Sequence, residues 1–211
     1  MLGLSTMAKR SYRQNCALAQ AVDVVGERWT LLLIRDLLVA PRRFKDLAAS
    51  LNGIGTNLLA ARLKELESAG IIERRRGDDG TRTYALTPSG VALEPAILAF
   101  VRWGLTHGPQ NQPDYHHHDD WDLLALKALF QPHRADDLRL GVQFASANLS
   151  GWTKLSGGNM SIGLGELENA DLIVNCTIKE LFMGDQAPQQ LLSSGSEPDL
   201  QRFMSAFALR A

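Results

Sequence analysis

Cysteine is scarce in this chain and long apolar runs are missing. Two cysteines in 211 residues, Cys16 and Cys176, are too few for a disulfide framework. The longest apolar stretches, such as Leu31 to Ile34, fall far short of the roughly 20 residues that a membrane span needs. Residues 1–6 lack the charged start and apolar core of an export signal. These absences predict a cytoplasmic protein with no membrane partner. A phosphate-cradling glycine loop, a Gly-x-Ser-x-Gly elbow and a zinc-protease helix are missing too. The expectation is therefore a protein that is not an enzyme and uses no cofactor or catalytic metal.

What remains is ordinary globular composition, 45% hydrophobic and 21% charged. The length suits one large domain or two small ones. A net charge of −1 hides an asymmetry. Residues 8–104 carry 15 Lys and Arg against 10 Asp and Glu, whereas residues 105–211 carry 7 against 13. A basic first half and an acidic second half suggest two units with different partners.

The most informative stretch runs from Gly55 to Leu86. Leu59, Leu63, Leu66 and Gly70 fall on one helical face, while Asn57, Arg62, Lys64 and Glu65 lie on the other. Thr56 reads as the N-cap and Gly70 as the left-handed residue that closes the helix. Ile71-Ile72-Glu73-Arg74-Arg75-Arg76 then gives way to Gly77-Asp78-Asp79-Gly80, a hairpin tip. Upstream, Cys16 to Val25 has helical spacing, with Gly26 at its end. Thr30 would cap a helix over Leu31 to Val39, apolar nearly all round and stopped by Pro41. Arg42 to Leu51 forms a third helix or its approach, followed by the turn Asn52-Gly53-Ile54-Gly55. Two short helices joined by such a turn, the second leading into a basic hairpin, make a winged helix-turn-helix. Thr87 and Pro88 supply the cap and first residue of a last helix that reaches about Trp103, with Gly104 closing it.

The second half is α+β in pattern, with a small, mostly antiparallel sheet. A helix over Asp122 to Phe130 precedes strands over Leu138–Ala145, Trp152–Leu155, Met160–Leu164 and Leu172–Thr177. Short helices are expected over Ile178–Met183, Pro188–Leu192 and Pro198–Leu209. Gly157-Gly158-Asn159 reads as a hairpin turn. The chain thus divides into an arm (1–15), a winged-helix unit (16–104), a linker (105–120) and an α+β unit (121–211).

Residues 16–90 resemble the HxlR-type (MarR-like) winged-helix transcription regulators. The resemblance rests on Cys16-Ala17-Leu18-Ala19, Ala21-Val22-Asp23-Val24-Val25-Gly26-Glu27-Arg28-Trp29-Thr30-Leu31-Leu32, Arg35-Asp36-Leu37 and Pro41-Arg42-Arg43-Phe44-Lys45-Asp46-Leu47. Gly53-Ile54-Gly55-Thr56, Arg62-Leu63-Lys64-Glu65-Leu66, Gly70-Ile71-Ile72 and Tyr84-Ala85-Leu86-Thr87-Pro88-Ser89-Gly90 complete it. It implies a bacterial, homodimeric, DNA-binding regulator, with Cys16–Val25 and Pro88–Trp103 forming the dimer interface. In this family proline usually follows the cysteine, and here Ala17 stands there. Some relatives sense oxidants or electrophiles through that cysteine, which implies a redox sensor at Cys16. Arg10 and Arg13 would favour its thiolate. The other reading of Cys16 is an inert thiol at a helix start. Residues 170–209 more loosely resemble the sterol carrier protein lipid-binding domain, which implies an apolar ligand cavity or a domain used for dimerisation.

Candidate DNA contacts follow from helix and hairpin. Thr56 and Asn57 open the reader helix, and Asn can pair bidentately with adenine. Arg62 and Lys64 can reach phosphate or guanine, although Arg62 could instead pair with Glu65. Arg42 and Arg43 suit phosphates, and the wing offers Arg75, Arg76 and Arg82 for backbone contact. Strand alternation separates Arg75 from Arg74 and Arg76, and the acidic tip opposes insertion into the minor groove. His116-His117-His118-Asp119-Asp120 reads as a solvated linker rather than a metal site. The function expected is a regulator that binds palindromic operator DNA as a homodimer and answers to a small apolar effector or a redox signal. The alternative is a lipid- or acyl-binding protein that uses the winged helix as a dimerisation scaffold.

Overall fold

A computed structural model describes residues 11–77, 79–109 and 115–208, and all elements below lie within them. Arg10 beside Cys16, Asp78 at the hairpin tip, residues 110–114 of the expected linker and Leu209 fall outside the described residues. The order begins α1 (Ala17–Val25), α2 (Thr30–Val39), α3 (Phe44–Ser50) and α4 (Thr56–Ser68). It continues β1 (Ile72–Arg76), β2 (Arg82–Leu86), α5 (Pro88–Val91) and α6 (Glu94–His107). The second half holds α7 (Trp121–Leu129), β3 (Arg139–Ala145), β4 (Ser150–Ser156), β5 (Asn159–Leu164), β6 (Leu172–Val174), α8 (Ile178–Met183), β7 (Leu192–Ser194) and α9 (Glu197–Ser205).

The apolar stripe expected of α4 is its buried face, because Leu59, Leu63 and Leu66 lie in the core with Leu33, Ile34, Leu37, Leu47 and Leu51. Gly70 takes φ of +69°, and the amide of Ile71 reaches back to the carbonyl of Leu66 at 3.0 Å. The helix therefore closes in the left-handed way anticipated, and the chain turns straight into β1. β1 and β2 pair antiparallel from Ile72↔Leu86 to Arg76↔Arg82. Arg42 adds a single-residue bridge to this ribbon through mutual backbone bonds with Tyr84, at 3.0 and 2.7 Å.

Thr87 caps α5 by accepting the Gly90 amide at 3.2 Å. Gly90 itself is dictated by space, since a Cβ there would stand 2.2 Å from the Ile71 carbonyl oxygen. That close approach locks α5 onto the root of the wing. The expected single helix from Pro88 to Trp103 is instead two. Pro95 sits in the first turn of α6, where a missing N–H is tolerated. Further inside a continuous helix it would remove a bond and clash with the preceding turn. Gly104 does not end α6, which runs on to His107, three residues into the expected linker.

Two expected caps are displaced by one residue. Trp29, at φ of +78°, is the N-cap of α2 and Gly55 that of α4, so Thr30 and Thr56 are first helical residues rather than caps. The all-round burial expected of α2 also fails at Leu32, which is 40% exposed.

In the second half, five strands form one sheet in the order β5-β4-β3-β6-β7. All neighbours are antiparallel except β3 and β6, because the segment after β5 crosses back to the free edge of β3. Buried Gln143 pins that crossover. Its side-chain amide donates to the carbonyls of Gly151 and Gly165 at 3.0 and 3.2 Å, and its oxygen accepts the Leu167 amide at 2.7 Å. β7 was not expected from the sequence, since its three residues, Leu-Ser-Ser, are too short and polar to show alternation. Phe144, Phe182, Phe203 and Phe207 form a connected ring cluster, with successive centroids 5.0–6.3 Å apart.

The halves meet at α7, which packs on α2 and α6 from one side and on β4, β5 and α8 from the other. The contact is polar as well as apolar. Lys127 pairs with Glu94 at 2.6 Å, and Arg102 donates to the Ala128 carbonyl at 3.0 Å.

Candidate nucleic-acid interface

Helices α3 and α4, with the turn between them, present the first turn of α4 to solvent. Thr56, Asn57 and Leu58 are exposed, and no side chain caps the helix start. The leading amides of α4 thus lack the partner a Ser, Thr or Asp at the cap would give. With the positive end of the helix dipole they make a ready anion site. Lys64 is exposed two turns further along.

Arg62 is differently placed. Its guanidinium is held by Glu65 at 2.6 Å and Glu27 at 2.9 Å, and its side chain is only 17% exposed. This is the structural ion pair weighed against DNA contact, extended by a carboxylate from the α1–α2 connection. Arg42 is likewise engaged, in a salt bridge with Asp120 from the segment before α7. A phosphate would have to displace a carboxylate at either residue. Arg43 is exposed, its backbone amide donates to Asp46 at 3.2 Å, and its charge reaches Asp79 at the wing tip.

The register of the wing sorts its arginines. Arg74, Arg76, Arg82 and Tyr84 share one face, while Arg75 shares the other with Glu73 and Thr83. Arg74 pairs with Glu67 at 3.1 Å and stacks over Tyr84, and Arg75 pairs with Glu73 at 2.8 Å. Arg76 and Arg82 stand directly opposite each other and make no ion pair among the described residues. Like charges facing across a ladder repel, so this pair favours an anion between or beside them. The tip beyond is acidic and stays ionised, because the Thr81 hydroxyl and then its amide hold the Asp79 carboxyl below the usual carboxylate range.

Cys16 is exposed and forms the N-cap of α1. Its thiol is pulled below its ordinary value by the backbone amides of Ala19 and then Leu18. The helix start thus does what the sequence suggested Arg10 and Arg13 would do. Cys176 is the opposite case. Burial, and then the charge of Glu180, pushes its thiol up to about 11. In native protein at pH 7, iodoacetamide should label Cys16 and leave Cys176 unmodified until the chain unfolds. The Cys16 rate should rise with pH through a midpoint below that of an unperturbed thiol. Peptide mass spectrometry at graded pH checks this, and equal labelling of both thiols in the folded state would refute it.

The expected solvated tract at 116–120 is partly folded. His116, His117 and His118 pack edge-on around Trp121, and His117 lies 3.4 Å from Asp122. Burial raises the Asp122 carboxyl above its usual range, against the opposing charge of His117. Among the described residues, no group of three or more His, Cys, Asp and Glu could hold a metal.

Asp36 enters the sequence reading only as part of the resemblance, with no role assigned to it. This carboxylate is 1% exposed and accepts from Arg35 Nε at 2.8 Å, Ser50 Oγ at 2.5 Å and Trp121 Nε1 at 3.0 Å. One carboxylate ties α2, the end of α3 and α7 together. The signal was an acid between Leu33 and Leu37 on the inward face of an apolar helix, where a charge needs partners.

A helix-turn-helix followed by a two-stranded basic wing defines the winged helix-turn-helix class. Residues 24–112 match the HxlR-like helix-turn-helix family. The HTH-type transcriptional regulator YvaP of Bacillus subtilis is 35% identical over 89 residues, 40% of this chain and 80% of YvaP. YodB of the same organism, also an HTH-type transcriptional regulator, is 35% identical over 85 residues, 39% of this chain and 76% of YodB. Rv3095 of Mycobacterium tuberculosis is 36% identical over 96 residues, 44% of this chain, and this chain spans 60% of that relative's length. The chain belongs to the HxlR-like helix-turn-helix family of transcriptional regulators. Residues 113–211 lie beyond the matched segment.

Proposed function

We propose that this protein binds double-stranded operator DNA as a homodimer and that oxidation or alkylation of Cys16 alters that binding. The observation that carries the DNA reading is the Arg76–Arg82 pair, two cations facing across the wing without an anionic partner among the described residues. The uncapped, exposed start of α4 supports it, with Asn57 as base reader and Thr56, Lys64 and Arg43 as further contacts. Arg42 and Arg62 serve as scaffold for these, and Arg75 contributes only if it leaves Glu73. The dimer reading is supported by exposed apolar side chains on the helices that flank the wing. Leu18 on α1 is 72% exposed, and Phe100 and Trp103 on α6 are each 61% exposed. Phe100 and Trp103 lie three residues apart on one helical face, and such a patch marks an association surface. Two reader helices about one DNA turn apart, roughly 34 Å, would call for a palindromic site.

The test is binding to DNA upstream of the protein's own gene, followed by fluorescence anisotropy across a salt series. A specific fragment should bind about 10³-fold or more tightly than random duplex. Replacing Arg76 and Arg82 together by Ala should weaken binding to every sequence. It should also lower the slope of log affinity against log salt by about 2 per bound protomer. Asn57→Ala should instead change preference at one base position, by about 1–3 kcal/mol. No preference for any such fragment, with an unchanged salt slope in the double variant, would defeat the reading. Oxidant should shift the affinity of the parent protein and leave that of Cys16→Ser unaltered.

A further inference from the structure

A cleft of about 560 Å³ lies where the winged helix meets the second half. That volume falls within the range of small-molecule sites, about 300–1,000 Å³. Its walls combine Arg28, Trp29, Leu32 and Arg35 from the α1–α2 connection and α2 with Tyr115 and Trp121 from the approach to α7. Among the described residues, no carboxylate lines it. Both arginines are stacked on aromatic faces, Arg35 over Trp121 at 3.8 Å and Arg28 over Trp29 at 5.2 Å. The Arg35 guanidinium satisfies Asp36 through Nε, but its buried Nη2 has no hydrogen-bond partner. Two guanidinium groups, one of them carrying a donor without a partner, beside three aromatic rings call for an occupant bearing negative charge and a flat apolar body.

We propose that this cleft binds a compact aromatic carboxylate, and that the turn between α3 and α4 reads its occupancy. The carboxylate meets the charges of Arg35 and Arg28, while its ring lies among Trp29, Trp121 and Tyr115. The route to the turn is short. Ser50 and Asn52, on either side of the start of that turn, also line the cleft. Ser50 shares with Arg35 the buried carboxylate of Asp36. A ligand that draws on Arg35 therefore changes the balance at Asp36 and, through Ser50, the seat of α4. A chain of this kind couples two sites only if the bound and free arrangements differ in energy. This coupling rests on the DNA-binding reading above, whereas ligand binding itself does not.

Two titrations on the full chain test it, using 1-naphthoate as probe. Tryptophan fluorescence should show saturable binding, at least tenfold weaker for the neutral isostere 1-naphthamide. Arg35→Gln should weaken 1-naphthoate at least tenfold. Arg28→Gln, at an exposed position where folding is not at stake, should weaken it severalfold. Equal binding of acid and amide, or unchanged affinity in Arg28→Gln, would overturn the proposal. So would tighter binding of decanoate that ignores both arginines, which would point to an acyl ligand instead. In the second titration, 1-naphthoate should shift DNA affinity at least fivefold in the parent, and less in Arg28→Gln relative to that variant's own unliganded value. Intact DNA binding that never responds to saturating 1-naphthoate would overturn the coupling alone. Absence of DNA binding with normal 1-naphthoate binding would instead defeat the regulator reading and leave the site standing.

Discussion

Replacing Asp36 by Ala should cost about 3–5 kcal/mol of folding stability, the range for removing one partner from a buried ion pair. Three donors converge on this carboxylate, from Arg35, Ser50 and Trp121. Its loss leaves the Arg35 charge uncompensated against the Trp121 ring, and leaves an indole N–H buried without an acceptor. Each orphaned group carries its own desolvation cost, about 1–3 kcal/mol for a neutral donor and more for a charged one. Asp36→Asn should be milder, since the amide oxygen still accepts from Trp121 while the charge balance with Arg35 is lost. Urea unfolding gives the answer, with the midpoint falling and the slope constant if only the native state is affected. A loss under about 1 kcal/mol would mean that water replaces the carboxylate at little cost, and that the junction is looser than its hydrogen bonds imply. Because Asp36 touches both halves, the variant should also separate the fluorescence transition from the circular dichroism transition if the halves then unfold in turn.

Phe203→Ala should be comparably severe, about 3–5 kcal/mol for a large aromatic side chain removed from a closed core. The ring is fully buried and stands 5.0 Å from Phe207, 6.2 Å from Phe144 and 6.3 Å from Phe182. Beyond lost burial, each such ring pair contributes about 0.5–1.5 kcal/mol. α9 holds this residue and little else in the interior besides Leu200, so its anchorage on the sheet depends on the cluster. Calorimetry of parent and variant measures the loss, and a shift in melting temperature within error would contradict the packing. The same rings bear on the acyl-ligand reading, because a chain lying between the sheet and α9 would have to displace them.

Much of the winged helix was legible because each of its signals is local. The α4 stripe, Gly70, the Thr87-Pro88 start and the Gly-Asp-Asp-Gly tip depend on neighbours within a turn or two. Errors arose where tertiary context decides. Trp29 caps α2 in a left-handed conformation that no propensity favours for a bulky residue, and Pro95 breaks a helix whose apolar period continues past it. Arg42 read as a phosphate contact, and Arg62 was weighed against Glu65 alone, because Asp120 and Glu27 lie 78 and 35 residues away along the chain. The cleft at the junction was invisible for the same reason, since its walls come from segments about 80 positions apart. Cys16 was picked out, and among the described residues it is the amides of the helix start that lower its thiol.

The bridge between Arg42 and Tyr84 has a mechanical consequence. It clamps the wing two residues above its root, on both the backbone and, through Asp120, the side-chain level. Beyond the clamp the described ribbon is a cantilever, held by its own ladder and by the charge of Arg43 acting on Asp79 at the tip. A cantilever yields near its free end and stays true at its support. On the proposed DNA reading, Arg76 and Arg82 would thus follow an uneven row of phosphates while α4, fixed behind the clamp, keeps its aim.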